Sequence, residues 1–242
     1  MTENKNDACS YSQNDNPEDN APINASLQEN VAKLHKLLPL GKSFDLMTRD
    51  LLLGETKAFW IGLNGFCVSE LLEKMFGALQ GTEGEQANLP QLSASGQGSN
   101  APADNDNSLH AFIEARVGIA QISYAFDFTV VLDKLTSGNS VLFVDGFAQA
   151  VILDTRAYHS RSVDEPELEK MTRGARDGFI EILLTNANLI RRRIRSPHLV
   201  FEMHEVGEIG KTDVCVAYLE DRCDPELVRK ISQKIEDRKS VV

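Results

Sequence analysis

Apolar residues recur at helical spacing in several parts of the chain, most clearly after Ser26. Four leucines and one valine between positions 27 and 38 lie so that one side of a helix would be apolar. Ser26 and Glu29 fit a capping box at the start of this helix, and Pro39 ends it. The pattern therefore predicts a helix over 26–38. Similar repeats predict further helices over 69–79, 109–116, 127–135, 179–194 and 224–237.

Shorter apolar runs bounded by turn residues predict strands. Two runs within 43–66 are joined at Gly54-Glu55, and two within 140–153 are joined at Asp145-Gly146. Each of these pairs is typical of a β-hairpin. Three more runs predict strands over 118–124, 198–205 and 212–219.

Strands interspersed with helices predict a mixed α/β (α+β) fold. Residues 80–108 are rich in Gly, Ser, Asn, Ala and Gln and cannot bury enough apolar surface to offset the entropy of ordering. Residues 1–25 are polar and acidic and predict a disordered tail. We therefore expect two small sub-domains, 26–79 and 109–237, each a mixed sheet with packed helices. The low-complexity residues 80–108 would be a flexible linker that joins them, or an insertion.

The net charge of the chain limits the classes of molecule that it is expected to bind. The formal net charge is −11, which opposes general binding to nucleic acid because phosphates would be repelled. No stretch approaches the roughly 18 apolar residues of a membrane-spanning helix, and the first 19 residues do not form a secretory signal. We expect a soluble chain.

The residues that usually carry catalysis are scattered. The five histidines form no HExxH pattern, and the four cysteines have no metal-binding spacing. The turn at 173–178 contains two arginines but lacks the GxxxxGK[ST] pattern of a phosphate loop. Its arginines would pair with the acids at 164–167 or, alternatively, bind a small anion. We expect no enzyme, no cofactor and no metal.

The segment 158–197 has the most distinctive composition. An acidic stretch containing Glu165-Pro166 precedes the turn Arg173-Gly174-Ala175-Arg176-Asp177-Gly178, and a helix then ends in Arg191-Arg192-Arg193. This basic run could be a solvated helix end, where cations favour the carbonyl terminus, or it could face anionic lipids or an acidic partner.

This ordered motif resembles the N-terminal part of the GerA family of spore germination proteins, and the likeness extends from about residue 37 to about 237. The resemblance implies an A subunit of a nutrient germinant receptor, or a close relative. It marks these residues as a packing and interface network: Arg161, Glu165, Pro166, Arg173, Gly174, Arg176, Asp177, Gly178, Phe179, Glu181, Asn188, Arg191, Arg192 and Arg193.

The function implied by the resemblance is assembly and signal transmission during nutrient-induced germination. The implied partners are receptor subunits of B and C type, further copies of the chain and an anionic membrane surface. The implied location is the spore inner membrane, with this domain on the cytoplasmic side. The alternative is a module that binds a germinant or another small molecule in a cleft between the sub-domains, beside Trp60 or Tyr158.

Overall fold

The structure is a computed structural model, and it describes residues 20–81, 102–119, 121–156, 178–208 and 210–237. For 102–106 it describes the backbone alone. Most of the predicted tail and linker, and the segment 157–177, lie outside the described residues.

Six helices and seven strands lie in these ranges. The helices are α1 (Leu27–Leu37), α2 (Ser69–Gln80), α3 (Pro102–Arg116), α4 (Phe128–Thr136), α5 (Leu183–Arg193) and α6 (Pro225–Glu236). The strands are β1 (Leu46–Leu53), β2 (Thr56–Leu63), β3 (Ile122–Ala125), β4 (Ser140–Val144), β5 (Ala150–Leu153), β6 (Leu199–Val206) and β7 (Thr212–Leu219).

Five strands form one antiparallel sheet in the order β1-β2-β4-β5-β3. Helices cover both of its faces, so the central strands β2, β4 and β5 are buried almost throughout. Because side chains alternate along a strand, Trp60 packs on the α2 and α3 side while Phe59 and Ile61 pack on the α1 and α4 side. The result is a three-layer unit with two apolar cores.

A second, two-stranded sheet is formed by β6 and β7, which pair along eight residues each. A two-stranded ribbon is marginal by itself and needs a helix to cover it. One face carries Leu199 and Phe201, which pack with Ala187 and Ile190 of α5. Helix α6 also packs against β6.

The mixed α/β class predicted from the sequence is confirmed. Each predicted hairpin forms, and β1 and β2 turn at Gly54. However, β2 comes from the range 26–79 and pairs with β4 from the range 109–237. The predicted boundary at 80–108 is therefore not a boundary of this sheet, since strands from both sides of it pair directly.

Helix α5 is shorter than the predicted helix over 179–194. The Asn186 side chain accepts a hydrogen bond from Ile180 N at 2.8 Å and donates one to Ile180 O at 2.6 Å. These bonds hold the backbone in a turn, and the helix begins only at Leu183. Phe179 and Ile182, predicted on the apolar face of the helix, are 71% and 55% exposed.

Candidate functional site

A buried ion pair between Asp45 and Arg191 connects the two sheets. Arg191 Nη2 lies 2.7 Å from Asp45 Oδ2, and each side chain is 2% exposed. Arg191 Nε donates a second hydrogen bond to the same oxygen at 2.9 Å. Arginine is almost never fully buried unless it is paired, so this contact is a specific feature of the fold.

The other polar atoms of the pair are bonded as well. Arg191 donates to the carbonyl oxygens of Ser196 and Leu199, each at 2.9 Å. Ser43 Oγ donates to Asp45 Oδ1 at 2.5 Å and accepts from Phe201 N at 2.9 Å. These bonds satisfy charges that would otherwise be costly to bury.

Backbone contacts complete the connection. Phe44 N donates to Phe201 O at 3.1 Å, and the two rings lie edge to face with centroids 6.1 Å apart. The Arg191 guanidinium lies 5.2 Å from the Phe201 ring centroid. We call Ser43, Phe44, Asp45, Arg191 and Phe201 the junction.

Local structure places both charges at the junction. Arg191 lies in the last turn of α5, where a cation favours the carbonyl end of the helix. Asp45 immediately precedes β1, and its carbonyl accepts a 2.7 Å hydrogen bond from Asn64 N just after β2. Asp45 is thus held by the β1–β2 hairpin, and Arg191 is held by α5.

Arg191 keeps its positive charge although it is buried. Burial lowers the pKa of the Arg191 guanidinium, and the Asp45 carboxylate opposes that change. The ordinary pKa of arginine is far above neutral, so Arg191 stays protonated at neutral pH. Removing one partner would leave an unpaired charge in the interior, at a cost of about 3–5 kcal/mol.

Lys42 extends the junction toward solvent. Its Nζ atom lies 2.7 Å from a Glu220 carboxylate oxygen and 5.4 Å from the Tyr218 ring centroid. Hydrogen bonds to Glu220 and Tyr218 raise the pKa of Lys42. Both side chains of the ion pair are about half exposed, so its contribution to stability is small.

A second contact between α5 and the five-stranded unit involves Asn188 and Gly65. Gly65 has φ +77°, and a Cβ atom there would lie 2.1 Å from Asn188 Nδ2 and 3.1 Å from Leu184 Cγ. A glycine is therefore required both by the backbone conformation and by the close approach of α5.

An open groove of about 600 Å³ lies beside this contact, between β1, α2 and the start of α5. Met47, Leu72 and Phe76 supply apolar surface, while Arg49 and Glu73 supply opposite charges. The Arg49 guanidinium lies 4.8 Å from the Phe76 ring centroid. The described residues include no cluster of three or more side chains suited to holding a metal ion.

Comparison with known proteins gives the family of the chain. Residues 33–240 match the model described as Bacillus/Clostridium GerA spore germination protein. The chain belongs to the GerA family. The resemblance inferred from the sequence is confirmed.

Among the relatives of this GerA-family chain, Stage V sporulation protein AF of Bacillus subtilis (strain 168) is 31% identical over 196 residues. Spore germination protein KA of the same organism is 26% identical over 214 residues. These alignments cover 81% and 88% of this chain and 36% of each relative. The chain thus spans about a third of the length of these relatives.

A solved structure shares the fold of the GerA-family chain. It is the crystal structure of the N-terminal domain of the A subunit of the Bacillus megaterium spore germinant receptor GerK3. The TM-score is 0.64, the identity is 21%, and the match covers 92% of this chain and 74% of that one. Within the described ranges, no helix has the length and apolar character needed to cross a bilayer.

The predicted network residues are distributed unevenly. Asn188 and Arg191 contact the five-stranded unit, and the Arg192 guanidinium lies 5.9 Å from the Phe66 ring centroid. Glu181 and Arg193 are exposed, as is Phe179, and Gly178 is half-exposed. Seven predicted residues lie outside the described part of the chain, namely Arg161, Glu165, Pro166, Arg173, Gly174, Arg176 and Asp177.

The three arginines at the end of α5 differ in their exposure. Arg192 and Arg193 are exposed, whereas Arg191 is buried in the junction and cannot face lipids or an acidic partner. Helical spacing could have predicted that Arg191 is the buried one. It follows the buried Ala187 by four positions and Leu184 by seven, so all three lie on one face of α5. Sequence reasoning missed Ser43 and Asp45 entirely, since no local pattern marks them as partners of α5.

Proposed function

We propose that this GerA-family chain forms a domain of a germinant receptor A subunit that assembles with other subunits and transmits a signal during nutrient-induced spore germination. The observation that carries this proposal is the junction, where a buried ion pair ties the five-stranded sheet to α5 and the β6–β7 sheet. A rigid link of this kind suits a module that passes movement between partners.

The proposed mechanism is mechanical and involves no chemical step. Asp45 is fixed to the β1–β2 hairpin, and Arg191 is fixed to α5 and to the start of β6. A partner that shifts the β6–β7 sheet would therefore shift the five-stranded sheet with it. Independent movement of the two sheets would separate the two buried charges, which is unfavourable in a low-dielectric interior.

Exposed apolar and basic side chains supply candidate contact surfaces. Leu227 and Ile231 of α6 are 51% and 38% exposed, and Arg192 and Arg193 are exposed at the end of α5. We propose B-type and C-type receptor subunits and further copies of this chain as the protein partners. Anionic lipid headgroups are the proposed non-protein partner of the arginines. The proposed location is the spore inner membrane, on its cytoplasmic side.

Co-purification with receptor subunits tests the assembly role. The chain is co-expressed with B-type and C-type subunits, and a double variant Arg192→Glu/Arg193→Glu is compared with Lys74→Glu on the exposed face of α2. The proposal predicts that the arginine variant loses partner recovery while the α2 variant keeps it. Absence of any association with either subunit or with itself, for the unaltered chain, would refute the proposal.

A second candidate function is binding of a small molecule in the groove between β1, α2 and α5. Arg49 and Glu73 place a cation and an anion over an apolar floor, which suits a ligand with both charges and an apolar group. Calorimetric titration with amino acids, sugars and nucleosides tests this role. Saturable heat that disappears in Arg49→Gln would support it, and flat traces with every class would exclude it.

A further inference from the structure

A second groove, separate from the one beside Gly65, is lined by three cations. It has a volume of about 460 Å³ and lies beside β3, at the end of β5 and at the end of α4. Lys134, Arg156 and Arg195 line it, and Asp154 supplies the one carboxylate among the lining residues that the structure describes. Such a concentration of positive charge stands out in a chain whose net charge is −11.

Arg156 is held in place by the carboxylate. Its Nε and Nη2 atoms donate to the two oxygens of Asp154 at 2.7 and 2.5 Å, forming a two-pronged pair. The Arg156 guanidinium lowers the pKa of Asp154, which keeps that carboxylate ionised at neutral pH. Among the lining residues that the structure describes, Lys134 and Arg195 add two positive charges to this ion pair.

Three carbonyls at the end of α4, beside the groove, are hydrogen-bonded within the protein. Asn139 donates to the Lys134 carbonyl from its backbone N at 3.1 Å and from its side chain at 3.0 Å. Ser137 N and Gly138 N bond the carbonyls of Asp133 and Leu135. These bonds give partners to three of the four carbonyls that a helix leaves unbonded at its end.

The remaining lining groups suit a polar ligand. Ser123, Ser137 and Gln121 offer hydroxyl and amide donors, and the apolar side chains in the described part of the lining are Ile122 and Ile152. A neutral apolar ligand would find little surface here, whereas oxyanions accept hydrogen bonds from hydroxyl, amide, Lys and Arg groups together.

We propose that this groove binds a compact oxyanion with two or more negative charges, either a phosphate-bearing group or a polycarboxylate. Arg195 comes from the connection between α5 and β6, whereas Lys134 and Arg156 come from the five-stranded unit. A bound anion would therefore bridge the same two units that the junction connects. The proposal does not depend on the assembly role described above.

Calorimetric titration of the 242-residue chain tests the site, with pyrophosphate and citrate as separate probes at constant ionic strength. We expect saturable binding of at least one probe. The double variant Lys134→Gln/Arg195→Gln should weaken that binding by at least about tenfold, because two charge-assisted contacts are lost. Both residues are exposed, so the unfolding midpoint of the variant without ligand should match that of the unaltered chain.

The control is Lys230→Gln on α6, which removes the same kind of charge away from the groove. A parallel sedimentation assay uses vesicles that contain phosphatidic acid, whose phosphomonoester headgroup can carry two negative charges. Vesicle binding that is lost in the double variant and kept in Lys230→Gln would identify a lipid headgroup as the source of the phosphate. Saturation by pyrophosphate alone or by citrate alone identifies a free phosphate or carboxylate ligand. The proposal is overturned if no probe binds, or if Lys230→Gln weakens binding as much as the double variant does.

Discussion

Arg191 and Asp45 form a 2.7 Å ion pair although 146 positions separate them in the chain. The pair lies where α5, β6 and the start of β1 meet, and both side chains are buried. Because each buried charge is paired with the other across the two units, the contact fixes how the two sheets are arranged.

Breaking this pair should destabilise the protein strongly. Asp45→Asn or Arg191→Met should each lower the free energy of unfolding by about 3–5 kcal/mol, because the remaining group stays buried without its partner. Denaturant titration measures this loss. The double variant should lose at least about 1 kcal/mol less than the sum of the single variants.

The matched control is Lys74→Gln, which breaks the exposed pair between Lys74 and Glu70. Both of those side chains are largely exposed, so the change should stay within about 0.5 kcal/mol. Equal losses for the exposed and the buried pair would contradict the account.

Gly65→Ala should destabilise the protein more than Gly41→Ala. Both glycines have φ +77°, so both alanines carry the same backbone strain, about 1–2 kcal/mol. At Gly41 the new Cβ atom meets nothing within 4 Å, whereas at Gly65 it would collide with Asn188. Denaturant titration of the two variants isolates the contribution of the α5 contact. Equal losses would show that Asn188 moves aside freely.

The thiol of Cys215 should react slowly while the protein is folded. Burial, with a smaller contribution from the Asp45 carboxylate, raises the pKa of Cys215 to about 11. At about pH 8 the reactive thiolate is therefore rare, and alkylation should be on the order of a hundredfold slower than in the unfolded chain. Peptide mass spectrometry after iodoacetamide treatment measures the rate. The rate in folded Asp45→Asn should rise, and a native rate equal to the unfolded one would contradict the assignment.

Stability should depend on pH through Asp154. The Arg156 guanidinium lowers the pKa of Asp154 in the folded state, so the folded protein binds fewer protons than the unfolded one in acid. The stabilisation is present above the unfolded pKa of about 3.9 and is lost as the pH falls through the lowered folded pKa.

Asp154→Asn should therefore be less stable than the unaltered chain at about pH 6, and the difference should shrink toward about pH 3. Urea titrations across that range provide the test. In an Arg156→Gln background the substitution should have little effect, because the cause of the shift is gone. A difference that stays constant with pH would rule out Arg156 as its source.

Local elements of the fold could be predicted from the sequence. The repeat of leucines after Ser26 gives α1, and the turn residues Gly54 and Gly146 mark the two hairpins. These features depend on residues a few positions apart, which periodicity and turn chemistry can detect. The motif in 158–197 indicated the GerA family, which the helix and strand patterns could not indicate.

Long-range pairings could not be predicted in this way. The pairing of β2 with β4 and the contact of Asp45 with Arg191 join residues far apart in the chain, and no local pattern encodes either. The start of α5 was missed for a different reason. The Asn186 side chain bonds the backbone of Ile180 six positions earlier, so a local side-chain contact overrides the apolar repeat.

Hydrogen–deuterium exchange on Arg191→Met tests the central claim, that the buried pair ties the β6–β7 sheet to the five-stranded sheet, most directly. The claim predicts faster exchange at the amides of Phe44 and Phe201, which bond across the junction, while Val141 and Leu142 in the central strand β4 stay protected. Unchanged exchange at Phe44 and Phe201, in a variant that has lost the guanidinium, would contradict it.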